Sequence, residues 1–312
     1  MAEVNETEDR EVLKINIMMK CDFKCEDCEK FFECNDPMRE KMFRRRRMAG
    51  AIKKMKGIKY KVAISAGKGG VGKSLLSTNL ATTLAMMGRK VTILDQDLDG
   101  STIPKMLGIQ GTKKLQYGRK GMIPATDDLG LGMQVVSLGL IYPDDVITLF
   151  HQMRRGITEE FVANVDYGER DWLIIDLPPG TSSDSCNLLQ YIPDLDGTVV
   201  ITVSPKVAQL AARKATLLAA KAGSRVLGIV ENMSGYVCEC GEEFSFLLKG
   251  GGESLANELN VPFLGRIPMD AQISGTGDEG VPYVYKYPDN VISKNLREVA
   301  LKVEKMVQEG KE

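Results

Sequence analysis

From Lys61 onward the chain alternates short apolar runs with longer stretches of helical spacing. "KVAISA", "KVTILD", "DWLIID", "GTVVITVS" and "SRVLGIVEN" stay largely apolar at successive positions. Runs of that length predict strands buried on both faces of a parallel sheet. "GMQVVSLG" and "PFLGRIP" predict two shorter strands. Between them lie six predicted helices: "KSLLSTNLATTLAMMG", "DDVITLFHQMRRGITEEFVANV", "SDSCNLLQYI", "PKVAQLAARKATLLAAKAG", "GGESLANELN" and "NVISKNLREVALKVEKMVQE". Gly88 stops the first and Pro205 opens the fourth. Strands alternating with helices predict a doubly wound α/β domain on a mostly parallel sheet.

The stretch before Lys61 follows a different pattern. Residues 1–12 are polar and acidic, and residues 13–36 carry four cysteines. "RRRRMAGAIKKMKGIKYK" then runs from Arg44 to Lys61, with Met48, Ile52 and Met55 at helical spacing. This predicts a basic amphipathic linker helix packed through that stripe. The expected division is a cysteine-rich metal-binding extension at 1–43, the linker helix at 44–60 and the main domain at 61–312. A basic segment also suits nucleic acid or anionic lipid, but no aromatic residues interleave it to stack bases.

Composition narrows the function classes. The 312 residues are 43% hydrophobic and 27% charged, with a net charge of −1. Nothing global points to nucleic acid or membrane. No apolar run is long enough to span a bilayer and no secretory leader is evident, so a cytoplasmic location is expected. Seven cysteines, an odd and clustered count, argue for metal rather than a disulfide framework. The single histidine, His151, is read as incidental, and Cys186 as a small buried residue with a redox role left open.

"GKGGVGKS", Gly67 to Ser74, fits G-x-x-x-x-G-K-[ST] between a predicted strand and a predicted helix. Glycines let backbone N–H groups turn toward phosphate oxygens, and the helix amino terminus adds partial positive charge. Lys73 can reach the β- and γ-phosphates, and Ser74 can ligate Mg²⁺. The nucleotide contacts expected here are Gly67, Lys68, Gly69, Gly70, Val71, Gly72, Lys73, Ser74 and Leu75. "ILDQDLDGS" offers Asp95 and Asp97 to hold Mg²⁺ through water or to orient the attacking water, with Asp99 starting a turn at Gly100. "LIIDLPPGTSSD" places Asp176 at a strand end, as a Mg²⁺ partner, with Pro178, Pro179 and Gly180 as a stiff phosphate-sensing loop. Asn232 in "ENMS", with Pro268 and Asp270 in "IPMD", is expected to wall the base pocket.

The second lysine of the loop, Lys68, makes the pattern KGGxGK[ST]. It resembles the deviant Walker A loop of the MinD and ParA ATPases, the nitrogenase iron protein and the Mrp-type iron–sulfur carriers. The resemblance implies that Lys68 crosses a dimer interface to the partner's nucleotide. "WLIIDLPPGTSSD", "ENMSGYVC" and "KGGGESLANELNVPFLGRIPMD" narrow it to the Mrp/ApbC/Nbp-type carriers, from about Lys61 to Ile273. The implied function is an ATP-dependent scaffold or carrier, a slow ATPase that passes [4Fe–4S] clusters to apo-proteins. No arginine finger or strong base is evident in the sequence.

On that resemblance Cys238 and Cys240, in "VCECG", supply two thiolates, and a two-fold partner supplies two more. One [4Fe–4S] cluster would then bridge the dimer. The chain departs from the family here, with C-x-C where C-x-x-C is usual. Cys21, Cys25, Cys28 and Cys34 form a set complete in one chain; the last three match the extension of related members, and Cys21 matches less well. A second [4Fe–4S] cluster is expected there, with structural Zn²⁺ as the alternative at both sites. C-x3-C-x2-C also has a radical-SAM spacing, but a P-loop domain occupies the rest of the chain. Two other functions stay open: an electron donor like the nitrogenase iron protein, and a ParA- or MinD-like positioning ATPase with structural metal.

Overall fold

Ile58 to Ala66, strand β1, is buried at every position but one, so a sheet covered on both faces must form around it. A computed structural model of the protein describes residues 50–145, 147–237, 243–244 and 249–311. In chain order β1 is followed by α1 (Lys73–Met86), β2 (Val91–Asp95), α2 (Ile103–Met106), β3 (Gln116–Gly118), β4 (Gly121–Ile123), β5 (Ala125–Thr126) and β6 (Gln134–Val136). Then come α3 (His151–Ala163), β7 (Arg170–Asp176), α4 (Ser183–Tyr191), β8 (Gly197–Val203), α5 (Lys206–Lys221) and β9 (Val226–Val237). The rest is β10 (Glu243–Phe244), α6 (Gly251–Leu259), β11 (Phe263–Met269), α7 (Ala271–Glu279), α8 (Tyr283–Lys286) and α9 (Val291–Glu309).

The main sheet runs β10-β9-β8-β1-β7-β2-β6-β5, with β11 also paired to β9. Its pairings are parallel except β5–β6 and β9–β10. The α/β reading therefore holds for the described residues. The register sets Asp95 directly opposite Asp176, and Asp176 opposite Ile64, which brings three strand ends to one place. Helix α1 packs on β1, β2 and β7 and is covered by α8 and α9. That double covering buries it almost all round, which is why it reads as apolar with little sidedness.

Several expectations change. Helix is described at residues 50–55 only, and β1 begins at Ile58, so the 44–60 linker helix is too long at its end. Its buried face is Ala51 and Met55, while Ile52 is 53% exposed. The predicted stripe was set by side-chain size. The packing is set instead by close approach, since a Cβ on Gly50 would stand 2.9 Å from Ala163 Cβ. Helix α3 starts at His151, seven residues after "DDVITLF" begins. The β3–β4 hairpin, α7 and the short α2 and α8 were not predicted. The extension at 1–43, with Cys21, Cys25, Cys28 and Cys34, lies outside the described residues, as do Cys238 and Cys240.

Candidate nucleotide site

The loop after β1 is built from close backbone contacts. A Cβ at Gly67 would lie 2.0 Å from the Ala211 carbonyl carbon, so only glycine lets the loop start against α5. Gly72 has φ 91°, in the left-handed region, and a Cβ there would lie 2.2 Å from Asn232 Nδ2. Gly72 is the N-cap of α1 and offers no side-chain cap, which leaves the helix N–H groups free for an anion. Val71 is buried and Leu75 half-buried, while Lys68, Gly69 and Gly70 are exposed.

Behind the loop stands a buried charge cluster. Asp176 is fully buried and accepts from Lys73 Nζ at 2.6 Å, Ser74 Oγ at 2.7 Å and Ser77 Oγ at 2.5 Å. Lys73 Nζ also lies 3.4 Å from Asp97. Burial alone would lower the Lys73 ammonium, but attraction and hydrogen bonding to Asp176, then Asp97 and Asp95, hold it above its usual value. The cluster is thus a lysine, two hydroxyls and two carboxylates gathered at the amino end of α1.

The structure separates Asp95 from Asp97. Asp95 is fully buried, accepts from Ser137 Oγ at 2.7 Å and receives the Asp97 N–H at 3.1 Å. Burial, with Asp176's charge beside it, pushes the Asp95 carboxyl up to about 8. Buried, with one oxygen on the Asp97 N–H and the other on Ser137 Oγ, Asp95 has no oxygen turned to a water. Asp97 is 17% exposed, and its carboxyl is raised by burial while Lys73 draws it back. Asp99 does not begin a turn with Gly100; it takes Arg154 in a two-pronged pair, 2.5 Å on each arm. The turn is closed by the Asp97 carbonyl, which accepts from Gly100 N–H and Ser101 Oγ.

The loop after β7 is tied across the sheet. Gly180 N–H donates to the Ala66 carbonyl at 2.8 Å, and the Pro178 carbonyl accepts from Ser185 Oγ at 3.3 Å. Cys186, in α4, is half-buried and unbridged, more open than expected. Beside the phosphate loop lies a cleft of about 490 Å³. Asn232, Pro268 and Asp270 line it as expected, but two of their polar groups are already engaged. Asn232 Nδ2 donates to the Val71 carbonyl at 2.9 Å, and Asp270 caps α7 and accepts from Tyr283 Oη at 2.7 Å. The opposite wall is Lys105 and Met106 of α2 with Ile273 and Gly277 of α7. Sequence reading missed both of these helices; the one available signal was the Asp270 N-cap ahead of "AQIS".

Comparison with known proteins places this geometry. A family model described as ParA, NUBPL iron-transfer P-loop NTPase, matches residues 57–304. The chain belongs to the NUBPL iron-transfer P-loop NTPase family. Relatives match this chain over most of their own length. A protein of Methanocaldococcus jannaschii named iron-sulfur cluster carrier protein is 37% identical over 95% of this chain and 100% of its own length. A chicken (Gallus gallus) protein named cytosolic Fe-S cluster assembly factor NUBP2 is 37% identical over 79% of this chain and 92% of its own. Among solved structures, a nucleotide-binding protein of Archaeoglobus fulgidus in complex with ADP is 31% identical, with a TM-score of 0.66. It covers 75% of this chain and 91% of its own. The cell-division ATPase MinD of Pyrococcus furiosus, 20% identical over 79% of this chain and 98% of its own, has a TM-score of 0.57 and shares the fold. Among the described residues no helix is long and apolar enough to cross a membrane.

Proposed function

We propose that this chain is an ATP-dependent iron–sulfur cluster scaffold or carrier that works as a homodimer and loads apo-proteins. The observation that carries the reading is the union of two features on β9. Its interior residue Asn232 is bonded to the phosphate loop, and the strand leads directly to Cys238 and Cys240. Membership of an iron-transfer family and relatives named as carriers support the cargo.

ATP binds with its phosphates on the Gly67–Leu75 turn and its base in the cleft between Asn232, Pro268 and Asp270. Lys73 leaves its pairing with Asp176 to meet the phosphates, and exposed Lys68 reaches the partner's nucleotide. Mg²⁺, when bound with nucleotide, supplies charge that neutralises the phosphate oxygens. Ser74, Asp97 and Asp176 present hard oxygen donors that fit it. Among the described residues no three acidic, His or Cys side chains form a closed metal cage. Mg²⁺ takes one or two carboxylates plus substrate phosphates, so it needs none. Asp97 orients water; Asp95, buried behind it, holds the loop through the Asp97 N–H. Pro178 belongs to the loop that responds to the γ-phosphate.

The cargo is a [4Fe–4S] cluster shared by Cys238 and Cys240 of both subunits, and the Cys21, Cys25, Cys28 and Cys34 set holds one more per chain. The test is transfer from the reconstituted dimer to an apo-protein that requires a [4Fe–4S] cluster, followed by that recipient's activity. Transfer that survives an iron chelator and responds to ATP is the expected result. Recipient activity no faster than with free iron and sulfide would sink the reading.

A further inference from the structure

Glu231 and Asn232 are neighbours in β9, both buried, and they bond to opposite parts of the molecule. Asn232 holds the phosphate loop through the Val71 carbonyl. Glu231 Oε1 accepts from Ser204 Oγ at 2.6 Å and from the Gly250 N–H at 2.9 Å; Oε2 accepts from the Gly252 N–H at 2.9 Å. Successive strand residues face opposite sides, so one dipeptide is bonded at once to the phosphate loop and to the first turn of α6.

After Cys238 and Cys240 the chain first returns to β9 as β10, with Glu243 opposite Val237 and Phe244 opposite Tyr236, and then enters that first turn. The approach is too close for side chains. A Cβ at Gly252 would stand 2.7 Å from Glu231 Cβ, and one at Gly251 would stand 2.4 Å from the Ser204 carbonyl oxygen. Gly250 holds φ 92° as the N-cap of α6, with no side-chain cap of its own. A buried carboxylate on two N–H groups at a helix amino end is a charge-assisted clamp. β9 itself enters the cysteine stretch from the other side. Both flanks of that stretch are therefore fixed to one strand, and the strand is bonded to the phosphate loop.

We propose that Glu231 is a positioning residue that couples nucleotide state to the cysteine pair. A shift of the loop at Val71 moves Asn232, and the Glu231 clamp carries the shift to the entry of α6. This rests on the carrier reading above. Coupling of this kind is reciprocal, so cluster loading must change nucleotide affinity by the same factor.

The experiment pairs two measurements on the full-length dimer. One is hydrogen exchange of the 249–252 amides with no nucleotide, with ADP and with a non-hydrolysable ATP analogue. The other is the ratio of cluster-release rates with and without that analogue, in wild type and E231Q. The glutamine presents an NH₂ to a backbone donor where a carboxylate oxygen stood, so it opens the clamp without altering the phosphate loop. The expected result is nucleotide-dependent exchange at 249–252 in wild type. E231Q should keep the wild-type nucleotide affinity of the cluster-free protein and the wild-type iron content, while its release ratio falls to about one. Where nucleotide changes wild-type release, the same ratio in E231Q overturns the proposal. So does identical exchange at 249–252 in all nucleotide states of the wild type, even where E231Q fails to fold. Wild-type release that ignores nucleotide, with exchange at 249–252 still responding, removes the carrier reading rather than the clamp.

Discussion

Lys73 Nζ and Asp176 Oδ2 stand 2.6 Å apart, with Lys73 6% exposed and Asp176 fully buried. This pair is the centre of the site, and each charge depends on the other. Removing one partner of a buried pair costs about 3–5 kcal/mol, because the remaining charge has lost its compensation. Asp176→Ala should therefore destabilise the nucleotide-free protein by about that much, measured by urea unfolding. The double variant Lys73→Met with Asp176→Ala should cost less than the two single changes added together. Simple additivity would contradict the pairing.

Two glycines of the same loop should behave in opposite ways. Gly67→Ala drives a Cβ into the Ala211 backbone, and overpacking of that kind costs about 1–3 kcal/mol. A Cβ on Gly69 meets nothing within 4 Å, so Gly69→Ala should leave stability within about 0.5 kcal/mol. Thermal melts of the nucleotide-free variants distinguish them. Equal Tm values would show that the loop is not packed on α5 as described.

Lys68 is exposed. Lys68→Ala should leave ATP affinity of the isolated subunit nearly unchanged and remove ATP-dependent dimerisation, read by sedimentation. Loss of ATP binding with dimerisation intact would assign the lysine to its own subunit's nucleotide.

Lys61 supplies a pH dependence. Burial is the main cause that lowers its pKa below the ordinary 10.5; Lys311 adds to it, while Asp196 and Asp194 oppose. Between the lowered value and 10.5 the unfolded chain holds more proton than the folded one, so stability rises with pH across that window. Below the window the charged, buried Lys61 is a standing cost. Lys61→Met should be more stable than wild type at neutral pH, with the gap closing as pH approaches 10.5. Urea midpoints measured from neutral pH upward check the sign; a gap that widens with pH would contradict it.

Much of the fold was legible because its strands are apolar on both faces. "WLIID" ends at Asp176 as β7 does, and α5 starts after Pro205 as its sequence says. What was illegible depended on contacts between distant segments. Ile52 reads as core and Ala51 does not, yet the close approach of Gly50 to Ala163 selects the smaller residue. The β3–β4 hairpin has three-residue strands, and β3 is exposed throughout, so it carries no apolar run to detect. In the site, Asp95 and Asp97 look equivalent in "LDQD"; only the pairing of β2 with β7, which seats Asp95 against Asp176, buries one and leaves the other partly open. Asn232 is legible as a residue at the base pocket, but its bond to Val71, 161 positions away, is not.

In the proposed carrier, two chains share one cluster through Cys238 and Cys240. The most direct measurement is iron and acid-labile sulfide per chain on anaerobically reconstituted protein, in wild type and in the Cys238→Ala/Cys240→Ala variant. About six irons per chain are expected in wild type: four at the amino-terminal set and half of a shared four-iron centre. The variant should lose about two, with as many sulfides, and the remaining four should be undisturbed. Zinc without sulfide, or iron unchanged by the double substitution, would contradict a cluster shared through Cys238 and Cys240.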